Sequence, residues 1–289
     1  MPGLARLERL RAPSAQLAAQ GVDLVVWPEG GAYPYRVSRP FLHDRTLGPG
    51  GVLARHQVTT LLGAGSRAPG ARHGYNSAYL LAPDGNVIGR YDKVNLVPIG
   101  ESVPLIDPDW VTDRIPEIAH HHGGEGPARF VLPGGEKDAP ALGPLICYED
   151  IIPGFVRRVA ALPGGVELFA NLTIDAWYGD TAEPWEHLAL AQFRSVEHRV
   201  PLVRSTSTGV SAVVDYNGRL VAQVPLRPVD AESIDRYPPE TLVVDVRLPR
   251  NTADAPTVYA RIGWLFPYGC LAVVLGSGIL ALGRRRRAA

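Results

Sequence analysis

Three polar residues follow apolar β-type runs in this chain, and their types suit covalent catalysis. Glu29 follows VVWP, Lys93 follows GRYD, and Cys147 closes GPLI within GPLICYED (143–150). The ends of strands are where α/β folds tend to place chemistry. If the three side chains meet in one pocket, the carboxylate could take the thiol proton and the thiolate could attack a carbonyl. The ammonium would stabilise the oxyanion and lower the thiol pKa.

Each of these residues also has a purely structural interpretation. Glu29 could cap a turn, Lys93 could be a surface charge, and Cys147 could be a small apolar residue in a strand. The basic residues favour catalysis, because only two of the 29 are lysines, Lys93 and Lys137. Arginine therefore serves almost wherever a positive charge alone is needed, and a retained lysine is a candidate for a site that needs a compact ammonium.

The elements that must position these residues are short β-type runs alternating with helical patterns. Helices are predicted at 5–20, 150–162 and 182–199. The turn sequences APDGN (82–86) and DYNG (215–218) predict two hairpins. Ten runs have strand patterns: 22–27, 59–65, 77–82, 86–91, 141–147, 166–171, 201–206, 210–215, 219–224 and 241–246. Buried strands alternating with helices predict a layered α/β domain over residues 1–250.

The C-terminal residues differ in composition from the rest of the chain. Residues 262–282 carry no charge and are followed at once by four arginines, 284–287. About 20 apolar residues cross a bilayer, and flanking arginines predict that this end stays in the cytoplasm. We therefore expect a linker at 251–261, a transmembrane helix at 262–282 and a basic cytoplasmic tail at 283–289. A buried core helix with a solvated tail is the alternative.

Composition argues against several other functions. The chain has 289 residues, 46% of them hydrophobic, and a formal net charge of zero, so nothing indicates a nucleic-acid partner. Two cysteines cannot make a disulfide framework. Histidines 120–122 lie among glycines and prolines without spaced partners, which favours a solvated loop over a metal site. The N-terminal residues lack the apolar core of a signal peptide and are typical of an amphipathic helix.

Three stretches resemble the signatures of the nitrilase, or carbon–nitrogen hydrolase, superfamily: WPE (27–29), YDKVNLVPIGESVP (91–104) and LICYED (145–150). The long block 171–215, which begins NLTIDAWYGD, narrows the resemblance to the apolipoprotein N-acyltransferase family. The similarity covers nearly the whole chain from about residue 20. It implies an α/β fold, a nitrilase-like α-β-β-α sandwich followed by one transmembrane helix.

The resemblance also implies roles for individual residues. Glu29 would be the general base, Lys93 the stabiliser of the oxyanion and thiolate, and Cys147 the nucleophile that becomes a thioester. Supporting roles are implied for Glu101, Tyr148 and Glu149. No metal or dissociable cofactor is implied.

In that family the acyl donor is a phospholipid, and the acceptor is the N-terminal amine of a diacylated apolipoprotein, an S-diacylglyceryl-cysteine lipoprotein. The resemblance thus implies an acyltransferase of the bacterial inner membrane with its catalytic domain on the periplasmic side. Two alternatives stay open: a membrane-anchored amidase that hydrolyses a C–N bond with the same residues, and a truncated, inactive relative. Truncation is expected because the family normally has an N-terminal membrane bundle and an opening strand, whereas this chain starts inside the following helix.

Other polar and aromatic residues have less definite interpretations. Ile174 stands where the family more often has asparagine, while Asp175 remains. His187 lies on a predicted helix whose apolar residues, Leu188, Leu190 and Phe193, are expected to face the core, and a structural hydrogen bond is its expected role. Five aromatic residues could line an acyl pocket or fill the core: Trp27, Tyr33, Tyr35, Phe41 and Trp110.

Overall fold

A computed structural model of the chain gives its fold. It describes residues 2–30, 37–43, 51–53, 56–103, 105–115, 120–134, 139–175, 179, 181–225, 238–249 and 255–288. Side chains are described for all of these except residues 2–6, 282–283 and 285–288. Tyr33 and Tyr35 lie outside the described residues.

The described residues form helices, strands and one short 3-10 helix, Cys147–Ile151. The helices are α1 (Pro2–Ala19), α2 (Pro108–Arg114), α3 (Pro153–Ala160), α4 (Glu183–His198), α5 (Val258–Ile262) and α6 (Leu265–Ala288). The strands are β1 (Leu24–Val26), β2 (Val37–Ser38), β3 (Thr59–Arg67), β4 (Tyr75–Leu81), β5 (Val87–Asp92), β6 (Phe130–Val131), β7 (Ala141–Ile146), β8 (Leu168–Thr173), β9 (Leu202–Thr206), β10 (Ala212–Val214) and β11 (Leu220–Gln223).

These strands build two sheets. The first has the order β1-β3-β4-β5, with β2 also paired to β3; β1 runs parallel to β3, and β3, β4 and β5 are antiparallel. The second has the order β11-β10-β9-β8-β7-β6, with a parallel centre of β7, β8 and β9 and antiparallel flanks. The predicted hairpins at 82–86 and 215–218 are confirmed by the antiparallel pairs β4–β5 and β10–β11.

Successive side chains of a β-strand point to opposite faces of the sheet, and here they enter two different apolar layers. On β3, Leu61 belongs to the cluster that includes the second sheet, α3 and α4, and Leu62 belongs to the cluster that includes Leu7 of α1. Leu80 and Leu81 of β4 divide in the same way. Each fully buried leucine stabilises the fold by about 2 kcal/mol. The layers therefore follow the predicted order α-β-β-α.

The predicted elements agree with most of this architecture. Nine of the ten strand runs contain a strand, and the helices predicted at 5–20 and 182–199 are α1 and α4. The helix predicted at 150–162 is instead the end of the 3-10 helix followed by α3. The reason is Pro153, whose fixed φ and missing N–H suit the first turn of a helix but not its interior.

The strand predicted at 241–246 was wrong, because these residues belong to neither sheet as described. Their exposure does alternate, as in a strand, and Val246 packs against the main core cluster. This segment therefore contacts the domain through side chains, without a paired strand among the described residues. Apolar alternation predicts a strand but cannot show whether a neighbouring edge is available.

The uncharged C-terminal run is helical in this structure. It begins in α5, which ends at Ile262, and continues through α6. Within the residues that the structure describes, no helix is both long enough and apolar enough to cross a membrane. The transmembrane helix at 262–282 is therefore not confirmed, and the linker at 251–261 and the tail at 283–289 stay predictions.

Candidate active site

The end of β1 and both sheets hold Glu29 in place. The Trp27 N–H donates to the Leu61 carbonyl at 2.8 Å, and the Ser207 hydroxyl donates to the Glu29 carbonyl at 2.9 Å from the other sheet. A Cβ on Gly63 would lie 2.8 Å from the Cα of Glu29, so only glycine lets the two segments approach this closely. The Glu29 side chain is buried, with Oε2 lacking a hydrogen-bond partner in the described part of the chain.

Lys93 comes directly after β5 and is almost fully buried. Its N–H donates to the Asn76 carbonyl, and its carbonyl accepts from the Gly124 N–H, both at 2.8 Å. Its Nζ lies 2.8 Å from Oε2 of Glu101 and 3.7 Å from Oε1 of Glu29. The backbone is thus fixed on both sides, and the ammonium lies between two carboxylates.

Asn76, on β4, joins these two carboxylates and was not identified from the sequence. Its Nδ2 donates to Oε1 of Glu29 at 2.6 Å and to Oε1 of Glu101 at 2.9 Å. The sequence contained no signal for it, because Asn76 precedes the predicted strand run 77–82 and is the second residue of β4. The amide holds both carboxylates at one end of the cleft.

Cys147 begins the 3-10 helix at the point where β7 ends. Its φ of 55° lies in the left-handed region, which residues other than glycine rarely adopt. Its carbonyl accepts a hydrogen bond from Nδ2 of Asn171 on β8 at 2.8 Å. Such backbone strain persists only where the surroundings enforce it, and it concentrates at functional sites.

Glu149 is fully buried and accepts five hydrogen bonds from two segments of the chain, the longest from Nδ2 of Asn95 to Oε1 at 3.4 Å. The N–H groups of Val94 and Asn95 donate to Oε1, and the Ile146 N–H and Tyr91 hydroxyl donate to Oε2, at 2.7–2.9 Å. The first two donors follow the candidate lysine, and Ile146 precedes the candidate nucleophile. This carboxylate therefore fixes the two segments relative to each other, which a sequence motif alone could not show.

Tyr148 connects the same two segments through its ring and hydroxyl. The hydroxyl donates to the Leu96 carbonyl at 2.9 Å, and the ring centroid lies 5.5 Å from Nζ of Lys93. At this distance the ring face attracts the ammonium. All six residues predicted for the site thus lie in one region of the fold.

The electrostatics of the cluster keep the thiol protonated at rest. Burial, followed by the nearby Glu29 carboxylate, raises the pKa of Cys147 to about 12, although Lys93 opposes the shift. Burial also raises the pKa of Glu29 against the opposing effect of Lys93. Burial alone would lower the pKa of Lys93, but the carboxylates outweigh it and the pKa is raised. A neutral thiol therefore lies beside a charged ammonium and a carboxyl group with an elevated pKa.

Glu101 differs from Glu29 in its protonation. Burial opposes ionisation of Glu101 as well, but the ion pair and hydrogen bond with Lys93 outweigh it and lower its pKa. Of two neighbouring carboxyl groups, one is held ionised and the other is shifted toward accepting a proton. The opposite pKa shifts suit Glu29 to proton transfer and Glu101 to holding the ammonium.

A cleft of about 1810 Å³ gives access to these groups. It is lined by Glu29, Lys93, Glu101, Cys147 and Tyr148 together with residues of both sheets. Glu149 is absent from the lining, in keeping with its full burial. The cleft is large enough for a drug-sized or larger ligand.

The remaining sequence candidates have varied environments. The structural hydrogen bond predicted for His187 is confirmed, since it contacts the carboxylates of Asp150 and Asp175 at 2.8 and 3.0 Å. Leu188 is buried as expected, but Leu190 and Phe193 are exposed, so their predicted core positions were wrong.

The described aromatic candidates occupy three different environments. Trp27 is buried in the layer between α1 and the first sheet. Phe41 packs edge-on against Tyr79 at 5.3 Å between ring centroids. Trp110 is about half exposed, and the Arg114 guanidinium lies 4.2 Å from its ring centroid. Core packing therefore accounts for Phe41, whereas Trp27 both packs in this layer and lines the cleft.

An α-β-β-α sandwich whose cleft holds a carboxylate, an ammonium and a thiol at the ends of strands defines the nitrilase-like class. Comparison with known families gives the same result, because residues 4–249 match the profile of the family described as Carbon-nitrogen hydrolase. The chain belongs to the carbon–nitrogen hydrolase family.

The similar curated proteins are apolipoprotein N-acyltransferases. The chain is 35% identical to that of Geobacter metallireducens over 273 residues, covering 93% of this chain and 47% of the relative. It is 35% identical to that of Bradyrhizobium diazoefficiens over 296 residues, covering 98% and 49%. The chain thus spans about half the length of the curated relatives it matches.

Solved structures share the fold at lower identity. An amidase from Nesterenkonia sp. superposes with a TM-score of 0.55 at 22% identity, covering 78% of this chain and 81% of the amidase. Saccharomyces cerevisiae Nit3, a member of branch 10 of the nitrilase superfamily, gives 0.59 at 19% identity, covering 81% and 87%. These similarities support the nitrilase-like fold.

Proposed function

We propose that this chain carries the catalytic site of an N-acyltransferase, which moves an acyl chain from a phospholipid to the N-terminal amine of S-diacylglyceryl-cysteine lipoproteins. One observation carries the proposal: Cys147, Glu29 and Lys93 line one cleft in a chain 35% identical, over 93% of its length, to an apolipoprotein N-acyltransferase. Between its release from the phospholipid and its transfer to the amine, the acyl chain would be bound to Cys147 as a thioester.

The first half-reaction would form the thioester. Because the Cys147 thiol is protonated at rest, it needs a base at the moment of attack. Glu29 has an elevated pKa and a buried oxygen, Oε2, that has no hydrogen-bond partner among the described residues. The sulfur attacks the ester carbonyl, and Lys93 stabilises the oxyanion. The carbon–oxygen bond of the ester then breaks, Glu29 returns the proton to the glycerol oxygen, and a lysophospholipid leaves.

The second half-reaction would transfer the acyl chain to the amine. The neutral amine attacks the thioester carbonyl, and Lys93 again stabilises the oxyanion. Glu29 takes the proton of the attacking nitrogen and passes it to the departing sulfur as the carbon–sulfur bond breaks. The products are an amide and the free Cys147 thiol, so the site is restored without a cofactor.

The other predicted residues would act by positioning. Glu101 lies 2.8 Å from the ammonium of Lys93 and stays ionised, so it would fix the cation without consuming the proton. Asn76 would fix both carboxylates. Glu149 and Tyr148 would hold the lysine segment against the cysteine turn.

Attachment to a bacterial inner membrane is part of the proposal, with the domain on the periplasmic side and the C-terminus in the cytoplasm. It is supported by the uncharged run at 262–282, the arginines that follow, and the exposed apolar side chains of α6, such as Phe266 and Ile279. A reporter fused after Ala289 should be active only in the cytoplasm. Activity only in the periplasm would reject this orientation.

The experiment that tests the function mixes the purified chain with a phospholipid and a synthetic diacylated lipopeptide. The proposal expects lysophospholipid and N-acylated lipopeptide in equal amounts, and neither product with Cys147→Ala. Free fatty acid released at the same rate with or without the lipopeptide would instead identify a hydrolase. An acetylated lipopeptide, which has no free amine, is the matched control and should stay unmodified.

A further inference from the structure

Four buried charged residues form a closed ring, and one of them belongs to the same 3-10 helix as the candidate nucleophile. Asp150, three residues after Cys147, contacts Nε2 of His187 at 2.8 Å through Oδ1 and Nη1 of Arg204 at 2.8 Å through Oδ2. Asp175 contacts Nδ1 of His187 at 3.0 Å through Oδ1 and Nη2 of Arg204 at 2.9 Å through Oδ2. Each carboxylate therefore bridges the imidazole and the guanidinium.

The ring connects four separate parts of the fold. Asp150 belongs to the 3-10 helix, Asp175 follows β8, His187 lies on α4, and Arg204 lies on β9. The Arg204 and Asp150 side chains are completely buried, and those of Asp175 and His187 nearly so. Breaking one partner of such a buried network is costly because the others lose their compensating charge.

The ring requires a doubly protonated histidine. A neutral imidazole donates only one N–H, whereas both nitrogens of His187 face carboxylate oxygens. Burial opposes protonation, but Asp150 and then the hydrogen bond that His187 donates to Asp175 outweigh it and raise the pKa of His187 to about 9. With His187 charged, two carboxylates balance two cations.

A metal site is a poorer interpretation of this cluster, although Asp175, Glu183 and His187 bring ligand-type atoms close together. Metal binding needs a free imidazole lone pair, and both ring nitrogens of His187 already face carboxylates. The guanidinium of Arg204 also donates to Asp175 at 2.9 Å, which already supplies that carboxylate with a cation. The cluster is therefore a charge ring with Glu183 at its edge.

The ring also borders the cleft. Asp175, His187 and Arg204 line the same cleft as Cys147. Asp175 is itself held by the N–H it donates to the carbonyl and hydroxyl oxygens of Thr208, both at 3.1 Å. A Cβ on Gly209 would collide with the Asp175 carboxylate, so the glycine makes room for the ring.

We propose that Asp150, Asp175, His187 and Arg204 are positioning residues that hold the strained Cys147 turn against the end of β8, and that the His187 imidazolium closes this ring. The left-handed φ of Cys147 needs an external constraint, and Asp150 is the ring member in the same turn. Only the catalytic consequence, faster thioester formation, rests on the proposed function.

The test measures alkylation of Cys147 by iodoacetamide, followed by peptide mass mapping. Cys270 is exposed on α6 and serves as the reference thiol in the same molecule. In His187→Gln, which cannot bridge both carboxylates as a cation, the Cys147 rate at pH 7.5 should fall about tenfold relative to Cys270. The isosteric variant Asp150→Asn should show the same loss.

His198→Gln is the matched control. His198 is a second buried histidine on α4, but its ring nitrogens have no hydrogen-bond partner among the described residues. Its substitution should leave the Cys147 rate within twofold of wild type. Loss of the same size in His198→Gln would mean that any disturbance of α4 slows Cys147, and the proposal would be overturned.

A pH profile separates positioning from simple support of the fold. The groups facing His187 are Asp150, Asp175 and Glu183, with Arg204 across the ring. As pH rises through about 9, His187 loses its second proton, so the ratio of wild-type to His187→Gln rates should fall toward one. The wild-type rate should also rise less steeply there than a single thiol titration predicts.

The wild-type profile requires no variant, so the test survives a variant that does not fold. A wild-type rate that follows one thiol titration through pH 10 would contradict the proposal, as would a folded His187→Gln with an unchanged Cys147 rate. Iodoacetamide needs neither phospholipid nor lipopeptide. The chain could therefore fail to transfer acyl groups while the ring still controls alkylation of Cys147. That result would reject the proposed function but support the positioning role of the ring.

Discussion

The ammonium of Lys93 lies 2.8 Å from the carboxylate of Glu101. This distance is shorter than its 3.7 Å separation from the candidate base. Lys93 is paired with both carboxylates, but its closer contact lowers the pKa of Glu101, whereas burial keeps the pKa of Glu29 raised. In the proposed mechanism one carboxylate holds the cation and the other moves the proton.

This geometry predicts that Lys93→Arg is nearly inactive. A planar guanidinium is larger than an ammonium and cannot occupy the same point between two carboxylates. Loss of one oxyanion stabiliser should lower the rate of thioester formation by about 10²–10³. Lys137→Arg, at the only other lysine of the sequence, should keep the wild-type rate. A loss below about tenfold for Lys93→Arg would count against its role.

Glu149→Gln should lower stability more than Tyr91→Phe. The buried carboxylate accepts five hydrogen bonds, and an amide NH₂ would face at least one N–H or O–H donor. We expect a loss of about 3 kcal/mol in the free energy of unfolding for Glu149→Gln. Tyr91→Phe removes a single donor and should cost about 1–2 kcal/mol. Urea unfolding measures both losses. Equal losses would show that Glu149 does not hold the lysine and cysteine segments together through its several hydrogen bonds.

Two buried histidines of α4 should give opposite pH dependence of stability. The folded pKa of His187 is raised to about 9, so its stabilising effect is complete below its ordinary value of 6.5 and is lost as pH rises through about 9. Burial lowers the folded pKa of His198 to about 4, so its protonation destabilises the fold as pH falls from 6.5 through about 4.

Urea midpoints of His187→Gln and His198→Gln, measured against wild type from pH 4 to 10, test these signs. The deficit of His187→Gln should shrink above pH 6.5. Wild type should gain stability relative to His198→Gln between pH 4 and 6.5. Parallel curves for wild type and both variants would show that neither histidine changes its protonation on folding.

Gly209→Ala should disturb the charge ring. Gly209 has a φ of 111°, and a Cβ there would collide with the Asp175 carboxylate. Gly134 has a φ of 109° but nothing within 4 Å of its virtual Cβ, so Gly134→Ala isolates the backbone strain. Both variants should lose about 1 kcal/mol of stability from strain. Gly209→Ala should lose more and should also slow Cys147 alkylation, and identical behaviour of the two variants would contradict the collision.

The sequence predicted the main residues of the site because they follow strands. Lys93 and Cys147 come directly after the carboxyl ends of β5 and β7, and Glu29 comes three residues after the end of β1, positions that local pattern can identify. The family signatures then grouped them. The same reasoning found the hairpins, since turn residues between β-type runs determine them locally.

Residues that act from the middle of strands were not predictable in this way. Asn76 and Arg204 lie within β4 and β9. Asn76 precedes the predicted run 77–82, and Arg204 lies in the run 201–206, which indicates a strand and nothing more. Their partners come from distant parts of the chain: Asn76 contacts Glu29, and Arg204 contacts Asp150. A polar residue can be buried only where such partners satisfy it. The apolar alternation that predicts a strand does not show which distant residues will be its partners.

The most direct test of the account is the intact mass of the chain after incubation with a phospholipid of one defined acyl composition. The account predicts an added mass equal to one acyl group, mapped to Cys147, removed by hydroxylamine and absent in Cys147→Ala. Lysophospholipid should appear in equal amount. An acyl adduct that persists in Cys147→Ala or maps to Cys270, or turnover of phospholipid without any adduct on Cys147 under rapid quench, would contradict a Cys147 thioester.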